Sequence, residues 1–169
     1  YTPDAGTIDD LVQLSTELYP REARPWAAAD MLKHVVFMLR NLDGTREPLV
    51  IALPGDRDID ESRLAAAVSP AEVEAFTDDD FLKYPGLVKG YIGPVKGAEQ
   101  VLGIERSAKV RYLLDPRVVP GTSWVAGANE HNRHVYDLVA GRDFTSDGVM
   151  DVANVRDGDP SPDGSGPLS

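Results

Sequence analysis

Two apolar segments in the first third of the chain do most to limit its fold. Residues 31–39 are apolar apart from Lys33 and His34, and the Val-Val-Phe sequence at their centre favours a β-strand. Residues 48–53 form a second apolar strand candidate, and the polar residues 41–47 between the two are typical of a turn. The two segments therefore predict a β-hairpin.

Helical and strand patterns mix along the rest of the chain. Predicted helices span residues 7–18, 60–68, 69 to about 75, and 77 to a point before Pro85. Predicted strands span residues 108–114, 124–126, 134–139 and 149–155. Because strands outnumber helices and hairpins mix with helices, the pattern indicates an α+β fold with a mixed sheet.

The composition is that of one globular domain. The chain has 169 residues, no cysteine, and no apolar run of the ~20 residues that cross a membrane. The lack of cysteine excludes disulfides and cysteine zinc sites and fits a reducing compartment, so we expect a cytoplasmic protein. Residue 1 is Tyr rather than Met, which is compatible with a piece of a longer protein. We expect residues 1–156 to form the domain and residues 157–169, with one large apolar side chain, to be a linker-like tail.

The charge of the chain is unevenly distributed. The net charge of −11 argues against non-specific binding of nucleic acid over the whole surface. Residues 83–117, however, hold seven basic and three acidic residues, a net charge of +4 that leaves −15 on the remainder. This basic stretch either meets a phosphate group or is a scatter of solvated side chains.

The glycine-rich sequence Gly90-Tyr91-Ile92-Gly93-Pro94 lies inside the basic stretch. Glycine permits positive φ angles and a close approach of a ligand to the backbone, and proline restricts the conformation at the exit. On spacing alone, the sequence is either a turn between two strands or a rigid loop whose N–H groups bind a substrate oxygen.

Lysine and histidine side chains have both functional and ordinary explanations here. Lys33, inside an apolar strand, must extend its ammonium group to the surface, pair with an acid, or point into a functional cavity. His34 lies on the opposite face and is expected to be a packed or rim histidine. His131 and His134 have a spacing that suits a metal on a helix, but the nearby Gly127 indicates a loop and no third ligand is evident. We therefore expect no metal site, and His134 faces either a pocket or the solvent.

Common catalytic motifs are missing from the sequence. Ser123 has no Gly-x-Ser-x-Gly context, and the chain has neither a P-loop nor a dinucleotide fingerprint. The acidic runs at residues 56–61 and 78–80 fit solvated faces and helix caps.

Six segments, in this order, resemble the editing domain inserted in bacterial prolyl-tRNA synthetases, over essentially the whole chain. They are residues 1–8 (YTPDAGTI), 29–33 (ADMLK), 90–94 (GYIGP), 114–117 (LDPR), 124–129 (WVAGAN) followed by His134, and 154–164 (NVRDGDPSPDG). The resemblance implies the fold of the wider aminoacyl-tRNA deacylase family, with a mixed, largely antiparallel curved sheet flanked by helices.

The same resemblance implies a function. Prolyl-tRNA synthetases attach alanine to their tRNA because alanine fits a proline pocket, so a second site must hydrolyse the wrong product. The implied partners are the 3′ end of mischarged proline tRNA and the rest of the synthetase. We expect the parent enzyme to be a homodimer and the isolated domain to be a monomer, with no cofactor and no membrane contact. Two alternatives remain: a free-standing type of deacylase for another mischarged tRNA, such as cysteinyl-tRNA, or a non-catalytic insertion that binds tRNA or stabilises the synthetase.

Specific roles follow from the resemblance, residue by residue. Lys33 would hold the terminal adenosine and its phosphate, while the loop, through Gly90, Gly93 and Pro94, would bind the ester carbonyl by its backbone. A water would attack with help from the 2′-hydroxyl of the tRNA. His134 would shape the alanine pocket, and the remaining substrate-binding positions are Asp115, Gly127, Ala128 and Asn129.

This chain departs from the family pattern in two places. Residues 19–30 are longer and richer in proline than is usual, and His34 stands where threonine is common. Both departures are expected to reshape the rim of the pocket.

Overall fold

The computed structural model describes residues 1–21, 24–96, 99–100 and 110–154. The predicted tail at 157–169 lies outside the described residues. So do nearly all of the 154–164 motif and the part of the basic stretch at 101–109.

Three α-helices, one short 3-10 helix and nine strands make up the described chain. The helices are α1 (Ile8–Leu18), the 3-10 helix Ala28–Asp30, α2 (Glu61–Val68) and α3 (Asp78–Lys83). The strands are β1 (Leu32–Arg40), β2 (Arg46–Pro54), β3 (Glu72–Ala75), β4 (Val95–Lys96), β5 (Glu99–Gln100), β6 (Arg111–Leu114), β7 (Ser123–Gly127), β8 (His134–Val139) and β9 (Gly148–Val149).

Each α-helix begins where a polar side chain caps it. The Thr7 hydroxyl accepts a hydrogen bond from the Asp10 N–H at the start of α1, and Asp60 caps α2 in the same way. Thr77 and Asp80 form a reciprocal capping box at the start of α3. These caps satisfy N–H groups that a helix leaves unpaired, and the three predicted helix starts are confirmed.

The main sheet has five strands in the order β3-β1-β2-β6-β9. The predicted hairpin is confirmed, because β1 and β2 pair antiparallel along their whole length. β3 also pairs antiparallel with β1, whereas β6 pairs parallel with β2 and β9 pairs parallel with β6. Together with the antiparallel pairs β4–β5 and β7–β8, this arrangement confirms the predicted α+β fold with a mixed, largely antiparallel sheet.

Two predictions of local structure are wrong. The helix predicted over residues 69–75 is replaced by β3, which adds to the open edge of β1 with Ala75 opposite Phe37. The strand predicted over residues 149–155 is reduced to β9 and an isolated bridge between Ile59 and Ala153. In both places pairing with a distant strand, rather than the local pattern, decides the conformation.

The sheet is packed on both faces. α2 covers one face, where Leu64 joins Leu49 and Ile51 in a buried cluster. On the other face Tyr112 lies in the larger core with the β7–β8 hairpin. A parallel bridge between Met31 and Val125 joins the start of β1 to β7, and α1 packs over this junction. Among the described residues, no helix is long and apolar enough to cross a membrane.

Candidate active site

A cavity of about 260 Å³ opens where the starts of α1 and β1 meet the glycine-rich loop and the β7–β8 hairpin. Its wall is formed by Ala5, Gly6, Thr7, Ile8, Leu11, Leu32, Lys33, His34, Gly90, Ile92, Ala126, Gly127 and His134. The cavity therefore brings together four of the predicted site residues: Lys33, Gly90, Gly127 and His134.

Lys33 places its positive charge at this cavity. Its Nζ lies 2.8 Å from the Asp58 Oδ1, and the lysine side chain is 22% exposed whereas the aspartate is 79% exposed. The sequence left three explanations for this lysine: a surface ammonium group, an ion pair, or a place in a functional cavity. In the structure Lys33 both forms an ion pair and lines the cavity. Because the aspartate is well solvated, the pair is weak and an anionic ligand can displace it.

His134 lies at the start of β8, opposite Gly127. Its Nδ1 is 2.5 Å from the Thr2 hydroxyl oxygen, and that hydroxyl donates to the Asn132 carbonyl at 3.3 Å. The short contact with Thr2 fixes the position of the imidazole ring through its Nδ1. Burial lowers the pKa of His134 to about 4, so the ring is neutral at physiological pH.

Asn129 anchors the glycine-rich loop. Its side-chain amide is buried, accepts a hydrogen bond from the Gly93 N–H at 3.1 Å and donates to the carbonyls of Gly93 and Val95. Its backbone N–H donates to the Tyr91 carbonyl at 2.9 Å. The residue therefore holds the loop against β7 and does not itself line the cavity.

The loop and β7 touch through main-chain atoms. A Cβ added to Gly93 would lie 1.6 Å from the Gly127 carbonyl oxygen, and a Cβ added to Gly127 would lie 2.3 Å from the Tyr91 carbonyl. Neither position has room for a methyl group. Gly90 differs from these two glycines. Its positive φ of 86° favours glycine, whereas an added Cβ would have ordinary contacts.

Two backbone donors remain on the loop side of the cavity. Gly90 and Ile92 both line it, and their N–H groups make no hydrogen bond to any residue that the structure describes. The Gly93 N–H, in contrast, is used by Asn129. The arrangement can therefore polarise a carbonyl oxygen through Gly90 and Ile92, next to a cation and a neutral histidine.

The sequence pattern of the aminoacyl-tRNA editing domain family matches residues 2–144. The chain belongs to this family. Its editing domain is 64% identical over 167 residues to the proline–tRNA ligase of Cutibacterium acnes, covering 99% of this chain and 28% of that protein. It is 61% identical to the proline–tRNA ligase of Kineococcus radiotolerans, with the same coverage. The resemblance to the editing domain of prolyl-tRNA synthetases is thereby confirmed, and the chain spans about 28% of the length of these relatives.

A solved structure shares the fold. The crystal structure of a hypothetical protein superimposes with a TM-score of 0.58, covering 91% of this chain and 89% of that one. The two sequences are 11% identical, so the likeness concerns the fold alone.

Several predicted residues of the editing domain are absent from the cavity wall. They are Gly93, Pro94, Ala128 and Asn129, of which Asn129 binds the backbone of Gly93. Asp115 is 1% exposed at the end of β6, where its carboxylate accepts hydrogen bonds from the N–H and guanidinium of Arg117. Asp115 is not part of the cavity wall, and its role in substrate binding stays a prediction.

The sequence missed other parts of the site. Thr2, behind the wall, contacts His134 across 132 residues, and no local pattern signals such a pairing. Ile92 lines the cavity beside Gly90. His34, expected to be a packed or rim histidine, lines the cavity while its Nε2 lies 2.9 Å from the Tyr112 hydroxyl. The start of α1 also lines the cavity through Thr7, the residue that the sequence pattern predicts as the start of this helix. The longer segment 19–30 does not touch this cavity.

Within the described ranges, no cluster of three or more His, Asp or Glu side chains could hold a metal ion.

Proposed function

We propose that this editing domain hydrolyses the ester of mischarged alanyl-tRNA of proline, as a part of a proline–tRNA ligase. The observation that carries the proposal is that Lys33, Gly90, Ile92 and the neutral His134 line one small cavity, where the N–H groups of Gly90 and Ile92 make no hydrogen bond to a described residue. Family membership and the proline–tRNA ligase relatives support the same reaction.

Lys33 binds the charged end of the tRNA in this proposal. Its ammonium group exchanges the solvated Asp58 carboxylate for the phosphate of the terminal adenosine. The exchange positions the ester at the loop, and such positioning supplies much of the rate enhancement for an activated ester.

Hydrolysis follows by backbone polarisation. The N–H groups of Gly90 and Ile92 hold the ester carbonyl oxygen, and each such donor contributes roughly 3 kcal/mol to stabilising the developing oxyanion. The oxygen of a water attacks the carbonyl carbon, and its proton passes toward the neighbouring ribose hydroxyl. The bond from that carbon to the ribose oxygen then breaks, the ribose oxygen takes up a proton, and free alanine and tRNA result.

His134 sets the selectivity. Its position is fixed through Thr2, and it lines the cavity together with Ala126 and Gly127. The ring of proline needs more room at this part of the wall than the methyl of alanine. We propose that this wall admits alanine and excludes proline.

Deacylation of matched substrates tests the proposal. The purified chain is incubated with alanyl-, cysteinyl- and prolyl-tRNA, and loss of the labelled amino acid is followed. We expect rapid loss of alanine alone, and a His134→Ala variant is expected to change which amino acid is removed. Preferred release of cysteine would support the free-standing type of deacylase. If no substrate is hydrolysed, and the same holds when the chain is tested within a whole proline–tRNA ligase, the insertion is non-catalytic.

A further inference from the structure

A second cavity, of about 520 Å³, lies at the other end of the β7–β8 hairpin. Its wall consists of Tyr19, Arg21, Arg24, Trp26, Asp30, Ser123, Trp124, Val125, Tyr136 and Asp137. Much of this wall comes from the proline-rich segment 19–30. Four of its residues are aromatic, which is unusual in a chain of 7% aromatic content and gives the cavity flat apolar surfaces.

The aromatic rings form a connected platform. The Tyr136 ring centroid is 4.9 Å from that of Tyr19 and 5.7 Å from that of Trp26. The Arg21 guanidinium lies 3.6 Å from the centre of the Trp26 ring, in a stacked cation–π contact. Trp26 is fixed in turn, because its indole N–H donates to the Tyr19 carbonyl at 2.7 Å.

The arginine in this platform has an unused donor. The Arg21 Nη2 donates to Asp30 at 2.9 Å and to the Pro25 carbonyl at 3.2 Å, whereas its Nε is buried and makes no hydrogen bond to the described residues. Burial alone would raise the pKa of Asp30, but the Ala27 N–H and the guanidinium groups of Arg24 and Arg21 outweigh it and lower that pKa. Asp30 therefore stays ionised and holds both arginines in place.

The two cavities are joined by shared elements. Ala126 and Gly127 line the first, and residues 123–125 of the same strand line the second. Four residues of a strand span about 13 Å, so the cavities lie a few nucleotide units apart at most. α1 connects them as well, because its start lies at the first cavity and Tyr19, at its end, lies at the second.

We propose that the second cavity binds a nucleobase of the unpaired acceptor end of the tRNA, upstream of the terminal adenosine. Proteins that bind single-stranded RNA stack bases on aromatic rings and on arginine planes, and their arginines contact the adjoining phosphates. The platform offers both surfaces, and the buried Nε of Arg21 offers a hydrogen bond. The inference rests on the proposed function, because that function brings the 3′ end of a tRNA to the neighbouring cavity.

Tryptophan fluorescence tests the binding without any hydrolysis. The chain has two tryptophans, Trp26 and Trp124, and both line this cavity. We expect saturable quenching by a short single-stranded RNA that has the sequence of the tRNA 3′ end and carries no amino acid. Adenosine monophosphate at the same concentration should cause little quenching. If the RNA leaves the fluorescence unchanged, the proposal is overturned and a protein surface becomes the candidate occupant.

Kinetics with two substrates give the second readout. Arg21→Ala is expected to raise KM for alanyl-tRNA about tenfold while kcat holds, since one stacked base is lost. It should leave the hydrolysis of an alanyl ester of adenosine unchanged, because that substrate has no upstream nucleotide. Arg21→Lys keeps the charge and the fold contacts to Asp30 but removes the planar stack, so it should show most of the KM rise. Arg40→Ala, an exposed arginine outside both cavities, is the matched control.

The outcomes separate the two proposals. RNA quenching without hydrolysis of any substrate would reject the proposed function and keep the nucleobase site. Hydrolysis with equal KM in Arg21→Ala and in wild type would reject the nucleobase site and keep the function. The thermal unfolding midpoints of the variants are compared first, to show that each variant folds. If Arg21→Ala does not fold, the fluorescence titration of the wild-type chain with RNA and the KM of Arg21→Lys test the nucleobase site.

Discussion

Lys33 and His34 are neighbours in one strand but meet opposite electrostatic surroundings. Lys33 forms an ion pair with a solvated carboxylate, and such an exposed pair stabilises the fold by less than about 1 kcal/mol. His34 is half-buried beside Tyr112, and burial lowers its pKa to about 4. Lys33 is therefore not needed for the stability of the fold, while His34 contributes to the response of the fold to acid.

Replacing Lys33 by alanine should remove activity and leave the fold. We expect the initial rate of alanyl-tRNA deacylation to fall about 100-fold or more, because the phosphate loses its cation. The free energy of unfolding, measured in urea, should change by less than about 1 kcal/mol. Asp58→Asn is the matched variant, since it removes the competing carboxylate and keeps the lysine. An equal loss of rate in Asp58→Asn would show that the ion pair itself is the active element.

The two half-buried histidines, His34 and His134, should make the fold sensitive to mild acid. Above about pH 6.5 both histidines are neutral in the folded and in the unfolded chain. Below that pH the histidines of the unfolded chain bind protons, whereas those of the folded chain stay neutral down to about pH 4. Stability should therefore fall as pH drops from about 7 to about 5, by about 2 kcal/mol for His34, with a smaller loss in the same direction from His134. Urea unfolding at both pH values measures this.

His34→Gln provides the decisive comparison for this acid response. The variant should lose a large part of the pH-dependent drop, whereas His131→Gln, at an exposed position, should keep it. A drop of the same size in His34→Gln would assign the effect to other groups. Carboxylates such as Asp80, whose pKa the Thr77 backbone N–H lowers, titrate at lower pH and do not interfere.

Single residues were predictable from the sequence where their chemistry conflicts with their surroundings. Lys33 stands out in an apolar strand, and Gly90 in a glycine-rich loop, and both line the cavity. Thr2 was not predictable, because its role depends on a partner 132 residues away. Asn129 looked like a pocket residue by position, but only the structure reveals that its amide is used up in holding the loop. The catalytic and binding roles of all these residues stay predictions.

At the scale of elements, the contact between the glycine-rich loop and β7 depends on the absence of two side chains. Gly93 and Gly127 let main-chain atoms meet, and Asn129 adds hydrogen bonds across the same contact. The wall of the cavity is thus built from backbone, which holds its N–H groups more rigidly than side chains would.

Gly93→Ala should separate the loop from β7. The added methyl would lie 1.6 Å from the Gly127 oxygen, so the loop must move, at a cost of about 1–3 kcal/mol in unfolding free energy. Deacylation should fall with it, because Gly90 and Ile92 shift away from the ester. Gly86→Ala is the control, since a methyl at that position meets nothing within 4 Å. Full activity in Gly93→Ala would argue against backbone polarisation at this wall.

Elements were predicted well where the pattern is long and local. The β1–β2 hairpin and α1 have strong periodicity and clear caps, and both form as expected. The segment 69–75 has a weak pattern, and the open edge of β1 turns it into β3. Sequence periodicity carries no information about which edges of a sheet remain unpaired, so this error has a physical origin.

At the scale of the whole molecule, charge limits how the tRNA can approach. The net charge of −11 repels most of a polyanion, while Lys33 provides a cation in the cavity wall. Such a surface suits a protein that receives only the end of a nucleic acid strand.

Salt should therefore weaken tRNA binding only modestly. With one or two phosphate contacts, the slope of log KM against log salt concentration should be about 0.7 to 1.4 in magnitude, since each single-strand contact contributes roughly 0.7. Steady-state deacylation over a series of salt concentrations measures the slope. Alanyl-adenosine has no phosphate and should show almost none. A slope of about 5 or more for alanyl-tRNA would mean that an extensive duplex surface is bound instead.

The close contact between Gly93 and Gly127 also bears on how the substrate range of this enzyme could be engineered. The side of the cavity formed by the glycine-rich loop and β7 has a fixed position, because main-chain atoms set its spacing and no substitution can make them smaller. The opposite side is formed by side chains of α1, among them Ile8 and Leu11, which can be replaced by smaller ones. A directed-evolution library aimed at bulkier mischarged amino acids should randomise these α1 positions and hold both glycines constant.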